Sequence, residues 1–298
     1  MRGIFITGLC QSAGIASGLK SILRAALPDT NLTVDTSPPA LSPFASAQEQ
    51  DDALSRVAEK ADFILTTSHA PFVNRRDGER FNVKIIRYPI IRFSAFHPDL
   101  VYAQKVGSAT RLEGYHSALT LWGYANGVDP ADIVTAFNDD VYAAAGYYDL
   151  WSESVADLQT EFQGCGFPFR EFLLSIKRQG LFMHSLDHPK PDVLATLAQH
   201  IARKLGIAEQ FLSEVPYVDD FLSTANWPVY PEIAQSFLCQ GSYQWRIDGR
   251  MMNLREYVDV MYSRYAGMAL RGAEYTTTHS QCVRARLECH LTKLMRQD

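Results

Sequence analysis

The alternation in the first 67 residues constrains the fold more than any other feature, because short apolar runs there take turns with segments of helical periodicity. Gly3 to Gly8 is an apolar run, and Gln11 to Leu27 then carries Ile15, Leu19, Ile22 and Leu23 at helical spacing until Pro28 stops it. Asn31–Asp35 reads as a second strand, Gln48–Lys60 as a second helix and Asp62–Thr67 as a third strand. Such a β-α-β-α-β order is most economically satisfied by a doubly wound, mostly parallel sheet, so the class is α/β. Val83–Tyr88 and Pro89–Phe96 are expected to add strands, with polar Ser68–Arg80 connecting them to the third.

Beyond about residue 112 the pattern changes. Glu113–Asn126, Pro130–Phe137, Val141–Gln163, Phe169–Gln179 and Asp192–Leu205 all have helical periodicity, which predicts a helix-rich C-terminal half. Asp129-Pro130 is a good helix start and Gly206 a good stop. Gly180–Ser185 is the one late strand candidate. The expected division is a sheet region over residues 1–112 and a mainly helical region over 113–298.

Composition excludes several classes. The chain has 298 residues, 47% of them hydrophobic and 20% charged, too apolar for disorder. With 28 Lys+Arg against 33 Asp+Glu the net charge is -5, which argues against a nucleic-acid partner. No run approaches the ~20 apolar residues of a membrane span. The start Met1 to Cys10 has too short an apolar part for an export signal, and Leu9 stands where a small residue would precede the cysteine. Five scattered cysteines, Cys10, Cys165, Cys239, Cys282 and Cys289, point to reduced thiols and a cytoplasmic location. No metal-ligand spacing and no dinucleotide or Walker loop is present, so neither a metal nor NAD or ATP is expected.

Four clusters can carry chemistry. Gly8-Leu9-Cys10-Gln11 falls where the first strand ends and the first helix begins, a place where ligands bind in open α/β sheets. Unpaired amides and the helix dipole would there shift the Cys10 thiol toward thiolate, making it a nucleophile or a contact for a bound thioester; otherwise it is a small buried hydrophobe. Ser68 and His69 end the third strand and would face Cys10, unless they are ordinary turn residues. In Phe96-His97-Pro98-Asp99, His97 can serve as base or ligand with Asp99 orienting it, or simply start a turn. His188, in His184-Ser185-Leu186-Asp187-His188-Pro189, is the preferred general base, with a turn into the following helix as the plainer alternative.

Taken in order, these clusters resemble the WcbI-like family of polysaccharide-biosynthesis acetyltransferases. Gly8-Leu9-Cys10-Gln11 resembles its G-N-C-Q, and Tyr88-Pro89 through Phe96-His97-Pro98-Asp99 resembles its Y-P…H-P-D stretch. His116-Ser117 and His188-Pro189 are also similar to family features. The resemblance spans about two-thirds of the chain and fits a Rossmann-like or SGNH-like outline.

It implies coenzyme A or acetyl-CoA as a substrate and transfer of the acetyl group to a sugar hydroxyl of a capsular or other bacterial surface polysaccharide. Cys10, Gln11, His97 and His188 would then be catalytic, and Ser68, His69, Asp99 and His116 would hold the acceptor. Ser12, Arg75, Arg76, Arg92, Lys105 and Arg111 would face the cofactor and its phosphates, unless the basic residues are solvated surface. Leu9 stands where the family has Asn, which leaves oxyanion stabilisation to backbone amides near Cys10 and to the Gln11 side chain. Two other readings remain: an SGNH-like carbohydrate esterase, and a non-catalytic CoA or carbohydrate binder whose segments Tyr142–Trp151 and Trp227–Trp245 stack on sugar rings.

Overall fold

In the computed structural model, which describes residues 3–35, 46–67 and 79–295, the N-terminal alternation is present as read. The strands are β1 (Gly3–Thr7), β2 (Asn31–Asp35), β3 (Phe63–Thr67) and β4 (Lys84–Tyr88), joined by helices that include α1 (Gln11–Ala26) and α2 (Ala47–Ala58). All pairings in this sheet are parallel and the order is β2-β1-β3-β4, so the strand order reverses at β1. Phe5 and Ile64 are buried in one cluster with Ala53, Leu54, Ala61 and Val83. Ile4, Ile6 and Leu65 alternate to the opposite face and are also buried, which is why these strands read as continuous apolar runs.

The chain divides into two compact units. The first comprises Met1–Arg92, Ala156–Met183 and Asp187–Ser223, and the second Phe93–Val155, His184–Leu186 and Thr224–Asp298. In the first, α1 packs on helix Pro191–Lys204. A Cβ on Gly18 would lie 2.8 Å from the Ala198 methyl, so glycine there sets how closely the two helices approach. Behind that contact Ile15, Leu19 and Leu23 are buried, each worth about 1.5–3 kcal/mol. Ser46 and Glu49 form a capping box that starts α2.

Two expected strands are absent. Pro89–Phe96 is irregular because its amides find partners off any ladder: Ile90 donates to Glu161 Oε1 at 2.9 Å and Ile91 to Gln11 Oε1 at 3.1 Å. Gly180–Ser185 reduces to a single bridge between Met183 and Pro189, whose ring nitrogen has no hydrogen to donate.

The second unit is where the sequence reading was coarsest. The long helix expected over Val141–Gln163 is interrupted at Gly146, which adopts φ 79° and separates Asp139–Ala145 from Leu150–Cys165. Asp129 caps Pro130–Thr135 as expected. A three-stranded antiparallel sheet of Ala225–Asn226, Gln244–Ile247 and Arg250–Asn253 was not anticipated. The aromatic segments thought able to hold sugars are core instead: Tyr142, Tyr147, Trp227 and Trp245 are buried, and the Trp245 and Tyr257 rings stack at 4.4 Å. Among the described residues no helix is long and apolar enough to cross a membrane.

Candidate functional site

Cys10 is the N-cap residue of α1, directly after the turn that leaves β1, and it is exposed. Its side chain makes no capping bond, and it stands at the end of the strand where the sheet order reverses. Gly8 fits this turn because a Cβ there would strike the Tyr88 hydroxyl and the Thr67 side chain. The Tyr88 hydroxyl in turn donates to the Thr7 carbonyl at 3.1 Å, tying the end of β4 to that of β1.

The Gln11 amide organises the surroundings. Its Nε2 donates to the carbonyls of Ile91 and Asp187, both at 2.8 Å, while its Oε1 accepts from the Ile91 amide. One buried side chain thereby fastens the loop after β4 and the late His-Pro loop to the start of α1. Both N–H groups of that amide are occupied, which leaves Gln11 no donor for an oxyanion and makes it a positioning residue. His188 lies in the fastened loop, half-buried, with Nδ1 3.2 Å from the Leu222 carbonyl. Since a carbonyl only accepts, Nδ1 carries the hydrogen and the basic lone pair is on Nε2.

Cys10 is not shifted toward thiolate. Packed protein around the sulfur, reinforced by the nearby Asp187 carboxylate, pushes the thiol up to about 11. The backbone amides of Gln11 and Cys10 and the charge of Arg92 act in the opposite sense and are outweighed. The expected pull of the helix N-terminus is thus present but loses to desolvation and a like-signed neighbour. The same burial raises the Tyr88 phenol, with Cys10 adding to it.

Several expected site residues are placed elsewhere. Ser12 is fully buried and its hydroxyl donates to the Leu9 carbonyl at 2.7 Å, so it closes the turn instead of facing a cofactor. Asp99 is also fully buried: it accepts from the Leu119 amide at 3.0 Å and from the Tyr147 and Tyr230 hydroxyls at 3.2 and 2.7 Å. Burial lifts its carboxyl to about 6 against those hydrogen bonds. Asp99 therefore anchors the second unit's interior, and neither acceptor binding nor orientation of His97 is available to it. His97 is buried with Nδ1 3.4 Å from the Pro228 carbonyl, closed off from solvent. His116 is buried against the Tyr265 hydroxyl at 3.1 Å and is held down to about 4 by burial, so it is a neutral core histidine.

Arg92 is exposed and close enough to act on the Cys10 charge. Lys105 and Arg111 belong to the second unit, Lys105 donating to the Ala269 carbonyl at 3.3 Å and Arg111 lying over the Tyr102 ring. Ser68, His69, Arg75 and Arg76 lie outside the described residues. Sequence reasoning missed Asp187 as a group that, after burial, helps keep the Cys10 thiol protonated, and Leu222 as the orienter of His188. Both act across separations of more than 30 residues, for which periodicity and motif spacing give no signal.

Residues 78–210 match the family described as "Polysaccharide biosynthesis enzyme WcbI". No curated protein sequence matches the chain significantly. Among solved structures, one of WcbI, described as a novel polysaccharide biosynthesis enzyme in its native form without a disulfide bond between CoA and a cysteine, matches with a TM-score of 0.68. The match has 18% identity and covers 96% of this chain and 98% of that one, a likeness of fold. Residues 78–210 are thus similar to that family, and the fold of its solved structure is followed over nearly the whole length of this chain.

Proposed function

We propose that the protein binds coenzyme A thioesters at the rim carrying Cys10 and His188 and transfers the acyl group to a sugar hydroxyl during synthesis of a surface polysaccharide. The observation that carries this reading is the exposed Cys10 thiol at the α1 N-terminus, with the His188 loop fastened beside it by Gln11. The similar WcbI structure, described with reference to a CoA–cysteine disulfide, supports it. Open α/β sheets bind ligands where their strand order reverses, which supports a site at the end of β1.

Protonated at neutral pH, Cys10 is a weak nucleophile, which favours direct transfer over an acyl-enzyme. In that route His188 Nε2 takes the proton of the acceptor hydroxyl as its oxygen attacks the thioester carbonyl. The amides of Cys10 and Gln11, already directed at the sulfur, lie where they can donate to the oxyanion. Collapse of that intermediate breaks the C–S bond, and the proton passes from His188 to the departing CoA sulfur. Arg92, whose charge acts on Cys10, is a basic group at this rim that can meet the CoA phosphates.

Calorimetry with CoA and turnover of acetyl-CoA with sugar acceptors test the reading. His188→Ala should lower kcat by about 10²–10⁴ while retaining CoA binding. Absence of CoA binding by the intact protein overturns the proposal, and hydrolysis of acetylated sugars indifferent to CoA replaces it with the esterase reading.

A further inference from the structure

The segment from Val215 to Leu222 is an irregular strap laid along α1 that turns at Phe221. A Cβ on Gly18 would touch Pro216 and Val218, and one on Gly14 would touch Val218. Ser17 Oγ donates to Asp219 Oδ2 at 3.2 Å, which fixes the strap midway. From there it runs toward the N-terminus of α1 and ends with the Leu222 carbonyl on His188.

Its side chains divide by direction. Pro216, Val218 and Leu222 are buried, whereas Val215, Tyr217 and Phe221 are 68%, 72% and 50% exposed. Tyr217 is held in place by a hydrogen bond to Asp219, which also raises its phenol. Leu9, which directly precedes Cys10, is 50% exposed. Exposed apolar side chains thus adjoin both members of the rim along the chain, Leu9 next to Cys10 and Phe221 next to the Leu222 that meets His188, all within the first unit. Solvent-exposed groups of this size in continuity with a site mark a surface that something apolar covers.

Charge selects the occupant. Residues 205–226 contain Glu209, Glu214, Asp219 and Asp220 and no Lys or Arg. An anionic bilayer or the phosphates of CoA would be repelled there, while a neutral alkyl chain would not. We infer that Leu9 and Phe221, continued by Tyr217, grip the acyl chain of the thioester, so that the preferred donor carries a chain longer than acetyl. This rests on the CoA reading above and deepens it.

The test measures Kd for CoA, acetyl-CoA and hexanoyl-CoA with the full chain and with Leu9→Asn and Phe221→Ser, both at exposed positions. A methylene half-covered by protein should tighten binding about twofold, so the wild-type chain should bind hexanoyl-CoA about 15-fold more tightly than acetyl-CoA. That ratio should fall to about fourfold or less in each variant. Equal affinities for acetyl-CoA and hexanoyl-CoA, with CoA still bound, overturn the inference and leave the CoA reading standing. A ratio retained in both variants overturns it as well. Failure of the wild-type chain to bind CoA removes the CoA reading and the inference with it.

Discussion

Cys10 shows how neighbours override a local rule. The end of a helix favours an anion by a few tenths to about 1 kcal/mol, whereas desolvation and a carboxylate beside the sulfur act against it over a similar or larger range. With its thiol near 11, Cys10 should be alkylated by iodoacetamide at pH 8 about a hundredfold more slowly than an ordinary exposed cysteine. Asp187→Asn removes an opposing charge and should speed that reaction severalfold, read by peptide mass spectrometry of the Cys10 fragment; an unchanged rate would discard the electrostatic account. Gln11 acts at the same scale but through geometry. Gln11→Ala strips partners from two carbonyls and the buried Ile91 amide, so denaturant unfolding should show a loss of about 2–4 kcal/mol.

At the scale of elements, the approach of α1 to Pro191–Lys204 depends on Gly18. Gly18→Val drives a branched side chain into Ala198 and should cost about 1–3 kcal/mol, despite removing a helix-interior glycine. The strap on α1 and the His188 loop would shift with it, so CoA binding should weaken in parallel; a destabilised variant with unaltered CoA affinity would separate helix packing from the site. In the second unit Asp99 joins the strand pair Leu100–Val101 and His116–Ser117 to helix Ala118–Ala125 and to Tyr147 and Tyr230. That a His-Pro-Asp stretch is structural here follows from burial, since a carboxylate enclosed on every side must be satisfied internally. Asp99→Ala orphans two tyrosine hydroxyls and should cost about 3–5 kcal/mol in the same unfolding assay.

Over the whole molecule, pH should reveal which groups are enclosed. His116 and His279 are both held down to about 4 by burial, so their stabilisation is full above about 6.5 and is lost as pH falls toward 4. Asp99, raised to about 6, has the opposite sign: it favours the folded state increasingly as pH falls from 6 to 4. Two histidines against one carboxyl leave a net loss among these three groups. The thermal midpoint should therefore drop between pH 6.5 and 4.5, and a His116→Gln/His279→Gln variant should show a smaller drop or a rise. An equally steep drop in that variant would place the acid sensitivity elsewhere.

The β-α-β-α-β order was legible from the sequence because both of its periods, two for strands and 3.6 for helices, are written in neighbouring residues. The same locality put Cys10 at the turn between β1 and α1 and Asp129 at a helix start. Pro89–Phe96 was misread because an apolar run looks the same whether its amides pair with a strand or with Glu161 and Gln11. His97, Asp99 and His116 show the limit most clearly: residue type proposes chemistry, but only packing reveals that all three are enclosed. What the sequence determined by itself was the alternation of elements and the strand end at which a thiol stands. The charge state of that thiol, the attachment of His188 beside it and the apolar strap flanking it were decided by contacts between residues far apart in the chain, which short-range patterns do not encode.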